Sequence, residues 1–254
     1  MEHHFPSSGN LLTGQLCEPP SRADTTRVPA VVLAHGYPTG LSSAAIASTA
    51  LPELADRIAS EMGWIALAPQ LRGCGGSEGS FSLRGWLDDL LAAVAHLEAD
   101  ERVTGVWLAG FGTSGSLAIC AAAEQPSIRG VAALGSPADF DDWASHPRRL
   151  LEHAREVGMI RDPSFPSSFD RWSKEIKEIR AVACAPEVAP RPLLVVHGSD
   201  DDLVPAFDAR VIVDAHGSAE LRIVYGAGHR LRHDPRAIAV LLGWLDRSWH
   251  QTPV

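Results

Sequence analysis

Along this chain, short apolar runs alternate with longer helical stretches, and that alternation narrows its fold more than any other feature. The runs are residues 30–34, 64–68, 106–109, 131–134, 193–196 and 221–224. All but the last, which carries Arg222, are apolar throughout rather than at every second residue, as in strands covered on both faces. Between the second and third runs, Leu83, Trp86, Leu87, Leu90, Leu91, Val94 and Leu97 recur at helical spacing. Asp88 and Asp89 are expected to face away from that stripe. Near the end, Asp234 is expected to cap a helix with Pro235 in its first turn and Ile238, Leu241, Leu242 and Leu245 along one side. The expected fold class is therefore α/β: a doubly wound, mostly parallel sheet with its ligand chemistry in the loops at the carboxyl ends of the strands.

A chain of 254 residues suffices for one sizeable core, and a single domain over 1–254 is expected. One stretch breaks the rhythm. Residues 139–190 carry no convincing strand but have helical pieces around 148–157 and 169–180, with prolines between them. They read as a small helical cap insertion over a pocket, with an ordinary long crossover as the plainer alternative. Trp143, Phe165, Phe169 and Trp172 would contribute its aromatic surface, either as pocket lining or as the cap's own packing.

Charge removes several classes of function. Lys and Arg total 22 against 31 Asp and Glu, a net charge of −9, so neither nucleic acid nor an anionic membrane is an expected partner. Residues 1–16 lack the basic-then-apolar layout of a secretory signal, and no apolar run approaches the roughly 20 residues of a membrane span. A cytoplasmic location is expected. Cys17, Cys74, Cys120 and Cys184 show no C-x-x-C pairing and read as reduced small hydrophobes.

The chemistry is expected in four loops. The run at 30–34 leads into Leu33-Ala34-His35-Gly36-Tyr37-Pro38-Thr39-Gly40, where the backbone N–H of Tyr37 can point into the mouth of the sheet. Next comes Arg72-Gly73-Cys74-Gly75-Gly76-Ser77-Glu78-Gly79, whose glycines lack the Gly-Lys-Ser/Thr of a phosphate cradle and read as a turn. The third loop, Val106-Trp107-Leu108-Ala109-Gly110-Phe111-Gly112-Thr113-Ser114-Gly115-Ser116, has the layout of a strand, a sharp turn and a helix. At this point the chain resembles the α/β-hydrolase superfamily, in particular its dienelactone-hydrolase and esterase-like members, in which G-x-S-x-G holds a nucleophilic serine on a strained elbow. The resemblance spans nearly the whole chain. It takes in His35-Gly36-Tyr37-Pro38, Arg72-Gly73, the fourth loop His197-Gly198-Ser199-Asp200-Asp201-Asp202-Leu203-Val204-Pro205, and Gly226-Ala227-Gly228-His229, in the family's order. It implies a sheet of the α/β-hydrolase type, a small-molecule acyl or ester substrate, and no cofactor or metal. It also implies Asp201 as the acid, His229 as the histidine 28 residues later, and the N–H groups of Tyr37 and Thr113 as the oxyanion hole.

The elbow itself departs from the family. Gly110-Phe111-Gly112-Thr113-Ser114-Gly115 reads like G-F-S-x-G-G with Gly112 at the nucleophile position. A shifted register, Gly112-Thr113-Ser114-Gly115-Ser116, would instead put Ser114 at the apex. In the first register a His229–Asp201 dyad would activate water against a carboxylic ester, thioester or lactone, or remove a substrate proton in an elimination, isomerisation or cyclisation. The second makes a conventional serine esterase. A third reading is a non-catalytic member that binds a small molecule in the old pocket. Competing motifs are weaker: Gly110-x-Gly112-x-x-Gly115 matches a dinucleotide fingerprint, but no acidic residue ends the following strand. His229 and His233 have zinc-like spacing, but Arg230 stands where a metalloprotease needs Glu. Asp139, Asp141 and Asp142 are the fallback acids.

Overall fold

The computed structural model describes residues 1–20, 27–38 and 51–251, so Thr39 and Gly40 of the first loop lie outside the described residues. The strands are β1 (Glu2–Ser7), β2 (Asn10–Cys17), β3 (Val28–Ala34), β4 (Ile65–Pro69), β5 (Val103–Phe111), β6 (Ile128–Leu134), β7 (Leu193–Gly198) and β8 (Glu220–Val224). They form one sheet in the order β1-β2-β4-β3-β5-β6-β7-β8. The six expected runs form β3 to β8, all parallel to one another, while β1 and β2 add an antiparallel hairpin on the β4 edge. The hairpin was not anticipated from the sequence. Its turn is Ser8-Gly9, both at positive φ, and its inward residues Phe5 and Leu12 are buried.

The two faces of the sheet can be read from β3. Ala30, Val32 and Ala34 join one apolar cluster with α2 (Leu83–Glu98), α3 (Thr113–Glu124), α7 (Ala181–Val188) and α8 (Ala206–His216). Val31 and Leu33 point the other way, toward α1 (Leu51–Arg57) and α9 (Pro235–Gln251). Strands buried on both faces need no polar alternation, and none is present in the burial of β3 and β4. Asp234 caps α9 as expected, its Oδ1 accepting the N–H groups of Arg236 and Ala237.

One expectation fails on α2. Asp88 lies toward solvent and pairs with Arg84, but Asp89 is fully buried. The Arg72 guanidinium and backbone N–H and the Ser7 hydroxyl all donate to its carboxylate, so the charge is satisfied inside the protein. Between β6 and β7 lie α4 (Asp141–Ser145), α5 (Pro147–Glu156), α6 (Phe169–Glu178) and α7. The first three lie beyond the carboxyl end of β6, whereas α7 packs against α3 and α8 in the helical layer. Among the described residues no helix is long and apolar enough to cross a membrane, and no disulfide joins the four cysteines.

Candidate active site

β5 ends at Phe111 and α3 begins at Thr113, leaving Gly112 alone to make the turn. Its φ of 55° and ψ of −127° lie where L side chains are strained. The reversal also presses α3 onto the strand: a Cβ on Gly110 would come within 2.3 Å of the Ser114 carbonyl oxygen. A Cβ on Gly115 would come within 1.9 Å of the Ser136 hydroxyl. The three glycines that imitate a dinucleotide fingerprint are thus accounted for by a tight strand-to-helix turn.

His229 stands over this elbow. An ideal Cβ built on Gly112 would lie 3.5 Å from its Nε2, closer than to any other group. The other ring nitrogen, Nδ1, is 3.0 Å from Oδ2 of Asp201, whose side chain is inaccessible to solvent. A carboxylate only accepts, so Nδ1 carries the proton and Nε2 offers its lone pair toward the elbow. Asp201 accepts two further bonds at Oδ1, from the N–H groups of Leu203 and Val204 at 3.0 and 2.9 Å. Burial pushes its carboxyl upward, but the bonds from His197, His229 and Val204 outweigh it and hold the group well below the usual carboxylate range. The Ser199 hydroxyl and the Asp200 N–H bind the Gly226 N–H and the Ala227 carbonyl, joining the acid loop to the histidine loop.

Ser114 is not brought to this dyad. It is the second residue of α3, fully buried, and its hydroxyl donates to the His35 carbonyl at 2.6 Å. That bond ties the elbow helix to the loop after β3. His35 is a further tie: its Nε2 accepts the Leu71 N–H and its Nδ1–H donates to the Gly36 carbonyl. Burial lowers its pKa to about 4, so the ring is neutral near pH 7. Sequence reasoning assigned His35 only to a loop; the signal for this role is a polar residue directly after a wholly apolar strand. The fallback acids also stay away from His229. Asp139 and Asp141 are instead paired with Arg180 at 2.8 Å each. His233 sits in a 3₁₀ turn and accepts from Arg232, and no metal-binding cluster occurs among the described residues.

A cavity of about 750 Å³ opens beside the dyad, bounded by Tyr37, Thr113 and His229 on the sheet side and by Phe140, Trp143 and His153 from the helices above. Thr113 is the first residue of α3, so its N–H has no partner within the helix. The Tyr37 hydroxyl lies 3.0 Å from His153 Nδ1, joining the loop after β3 to α5. Of the two roles left open for the aromatic residues, Trp143 takes that of pocket lining, whereas Trp172 is buried, its indole N–H donating to the Phe81 carbonyl.

A family model described as "Alpha/beta hydrolase family" matches residues 31–241. The chain belongs to the alpha/beta hydrolase family. No curated protein matches it. Among solved structures, Est1E from Butyrivibrio proteoclasticus with ferulic acid bound is 22% identical over 98% of both chains, with a TM-score of 0.74. The esterase Pf2001 from Pyrococcus furiosus is 18% identical, covers 97% of this chain and 91% of its own, and has a TM-score of 0.69. An alpha-beta serine hydrolase homologue from Coxiella burnetii is 18% identical over 97% and 96% of the two chains, with a TM-score of 0.65. At such identities these likenesses establish the alpha/beta hydrolase fold, and the membership supports a hydrolase acting on a small molecule.

Proposed function

We propose that this alpha/beta hydrolase cleaves small carboxylic esters, thioesters or lactones with a His229–Asp201 dyad and a water, without a serine nucleophile. The observation that carries the reading is the 3.5 Å between His229 Nε2 and the first side-chain position of Gly112. An oxygen held near that position is in range of the imidazole lone pair. His229 takes a proton from water there, the resulting hydroxide attacks the substrate carbonyl, and the N–H groups of Tyr37 and Thr113 receive the oxyanion. As the tetrahedral species collapses, the imidazolium returns the proton to the departing alkoxide or thiolate, while Asp201 steadies the cation throughout. No acyl-enzyme forms. Loss of the covalent step costs orders of magnitude, but positioning and oxyanion donors alone retain roughly 10³ to 10⁴ over water. Residues 139–190, chiefly α4 and α5, act in this reading as the cap that shapes the pocket. Their aromatic side chains, together with the neighbour that carries ferulic acid, make esters of flat aromatic acids the first substrates to test.

Ser114 is spent on the His35 carbonyl, which speaks against the serine-esterase reading. The test is hydrolysis of short acyl and aryl esters by the wild type, His229→Ala and Ser114→Ala, paired with a fluorophosphonate probe. Turnover lost only in His229→Ala, with no labelling of the wild type, supports the water mechanism. Labelling that disappears in Ser114→Ala would overturn it, and ligand binding without turnover of any ester would make the protein a binder.

A further inference from the structure

The carboxylate that orients His229 carries a second imidazole. His197, near the end of β7, is fully buried, with its Nε2 2.9 Å from the Val204 carbonyl oxygen and 3.2 Å from Oδ2 of Asp201. Both neighbours are acceptors only, so the proton resides on Nε2, whose hydrogen bond goes to the Val204 carbonyl while Asp201 Oδ2 lies within ion-pair distance. The opposite nitrogen, Nδ1, is buried without a hydrogen-bond partner among the described residues. The protonated nitrogen of this ring thus lies 3.2 Å from the same oxygen that serves the dyad. We propose that His197 is a positioning residue of the dyad, donating to Asp201 Oδ2 so as to fix the carboxylate and restrain the proton affinity of His229.

The inference rests on reading His229 as the base and adds what sets its strength. An oxygen that serves two donors holds each less tightly than one that serves a single donor. The charged groups facing His197 are Asp201 on its own loop, Asp208 from α8, and His229 through Asp201. Burial opposes protonation of His197, but the bonds to Asp201 and Val204 outweigh it and raise its proton affinity. Neutral or cationic, the ring withdraws electron density from Asp201, so the sign is the same in both states. Removing it leaves a more basic carboxylate, and the imidazolium of His229 becomes easier to form.

The test is an NMR pH titration of the His229 ring, assigned by its absence in His229→Gln, in the wild type, His197→Leu and His197→Gln. His197→Leu should raise the His229 midpoint by about half a pH unit or more. His197→Gln, whose amide N–H can replace Nε2–H, should stay near the wild-type midpoint. The acid limb of kcat/KM should move with the NMR midpoint, with kcat changing more than KM. A folded His197→Leu with the wild-type midpoint overturns the proposal, as does a Gln variant shifted as far as Leu. Should His197→Leu fail to fold, the ¹⁵N spectrum of the wild-type ring still decides: an Nε2 without its proton overturns the donor assignment. A shifted midpoint with no ester turnover in any form would instead remove the esterase reading and leave the positioning role in place.

Discussion

Gly112 leaves room for a side chain, but its backbone conformation is not one that L residues favour. An added Cβ meets nothing closer than His229 Nε2 at 3.5 Å, so the cost of Gly112→Ser is conformational strain, about 1–3 kcal/mol. The variant is expected to unfold at a lower temperature yet gain fluorophosphonate labelling and a higher rate of ester hydrolysis. An unlabelled, folded variant would count against the elbow geometry proposed for catalysis. His35 gives a second prediction, with its sign fixed by linkage. Its pKa falls from 6.5 to about 4 on folding, so between those values the unfolded chain binds more protons. Stability should therefore fall as the pH drops from about 6.5 toward 4, by on the order of 3 kcal/mol from this ring. Denaturant midpoints at pH 7 and 4.5 measure it, and His35→Gln, whose amide oxygen can accept the Leu71 N–H, should flatten the dependence. Asp201 and His229 were singled out by the family resemblance of their loops, and the structure brings the two side chains within 3.0 Å of each other. The burial of Ser114 was not, because a hydroxyl one residue into a helix looks the same in sequence whether it faces a pocket or a carbonyl.

Among the secondary elements, α2 shows why periodicity finds a helix more readily than its exceptions. Its apolar positions are buried as the spacing requires, Leu91 only in part, yet Asp89 lies within the core because Arg72, from the turn after β4, and Ser7, from β1, converge on it. Those partners are 17 and 82 residues away, beyond the reach of a local pattern. Asp89→Ala should lower stability by about 3–5 kcal/mol, read from the thermal or denaturant midpoint, since it strands a largely buried guanidinium. A loss below 1 kcal/mol would mean that Arg72 finds solvent instead. The helices between β6 and β7 were likewise half legible. α5 and α6 match the helical pieces read from the sequence, while α7, with Pro186 inside it, joins the main helical layer through packing that no local signal announces.

Across the molecule, six consecutive parallel strands followed from short apolar runs, buried throughout in β3, β4 and β7 and least so in the edge strand β8, and the hairpin escaped because only one of its faces is covered. Leu11 lies outward and exposed while Phe5 and Leu12 lie inward, so β1 and β2 mix polar and apolar residues without a continuous run. Deleting residues 1–17 would uncover those core contacts and the hydrogen-bonding edge of β4. The truncated protein is expected to melt at a lower temperature and to scatter light on heating, measured beside the full chain. A truncation with an unchanged melting curve would show that β2 contributes nothing to the core. The intact sheet ends differently on each side. β1 bears Glu2, His3 and His4 on one margin, and β8 bears Glu220 and Arg222 on the other. A second copy laid alongside either margin would have to desolvate these ionic and imidazole groups, so the protein carries its own barrier against growing into a continuous ribbon when crowded.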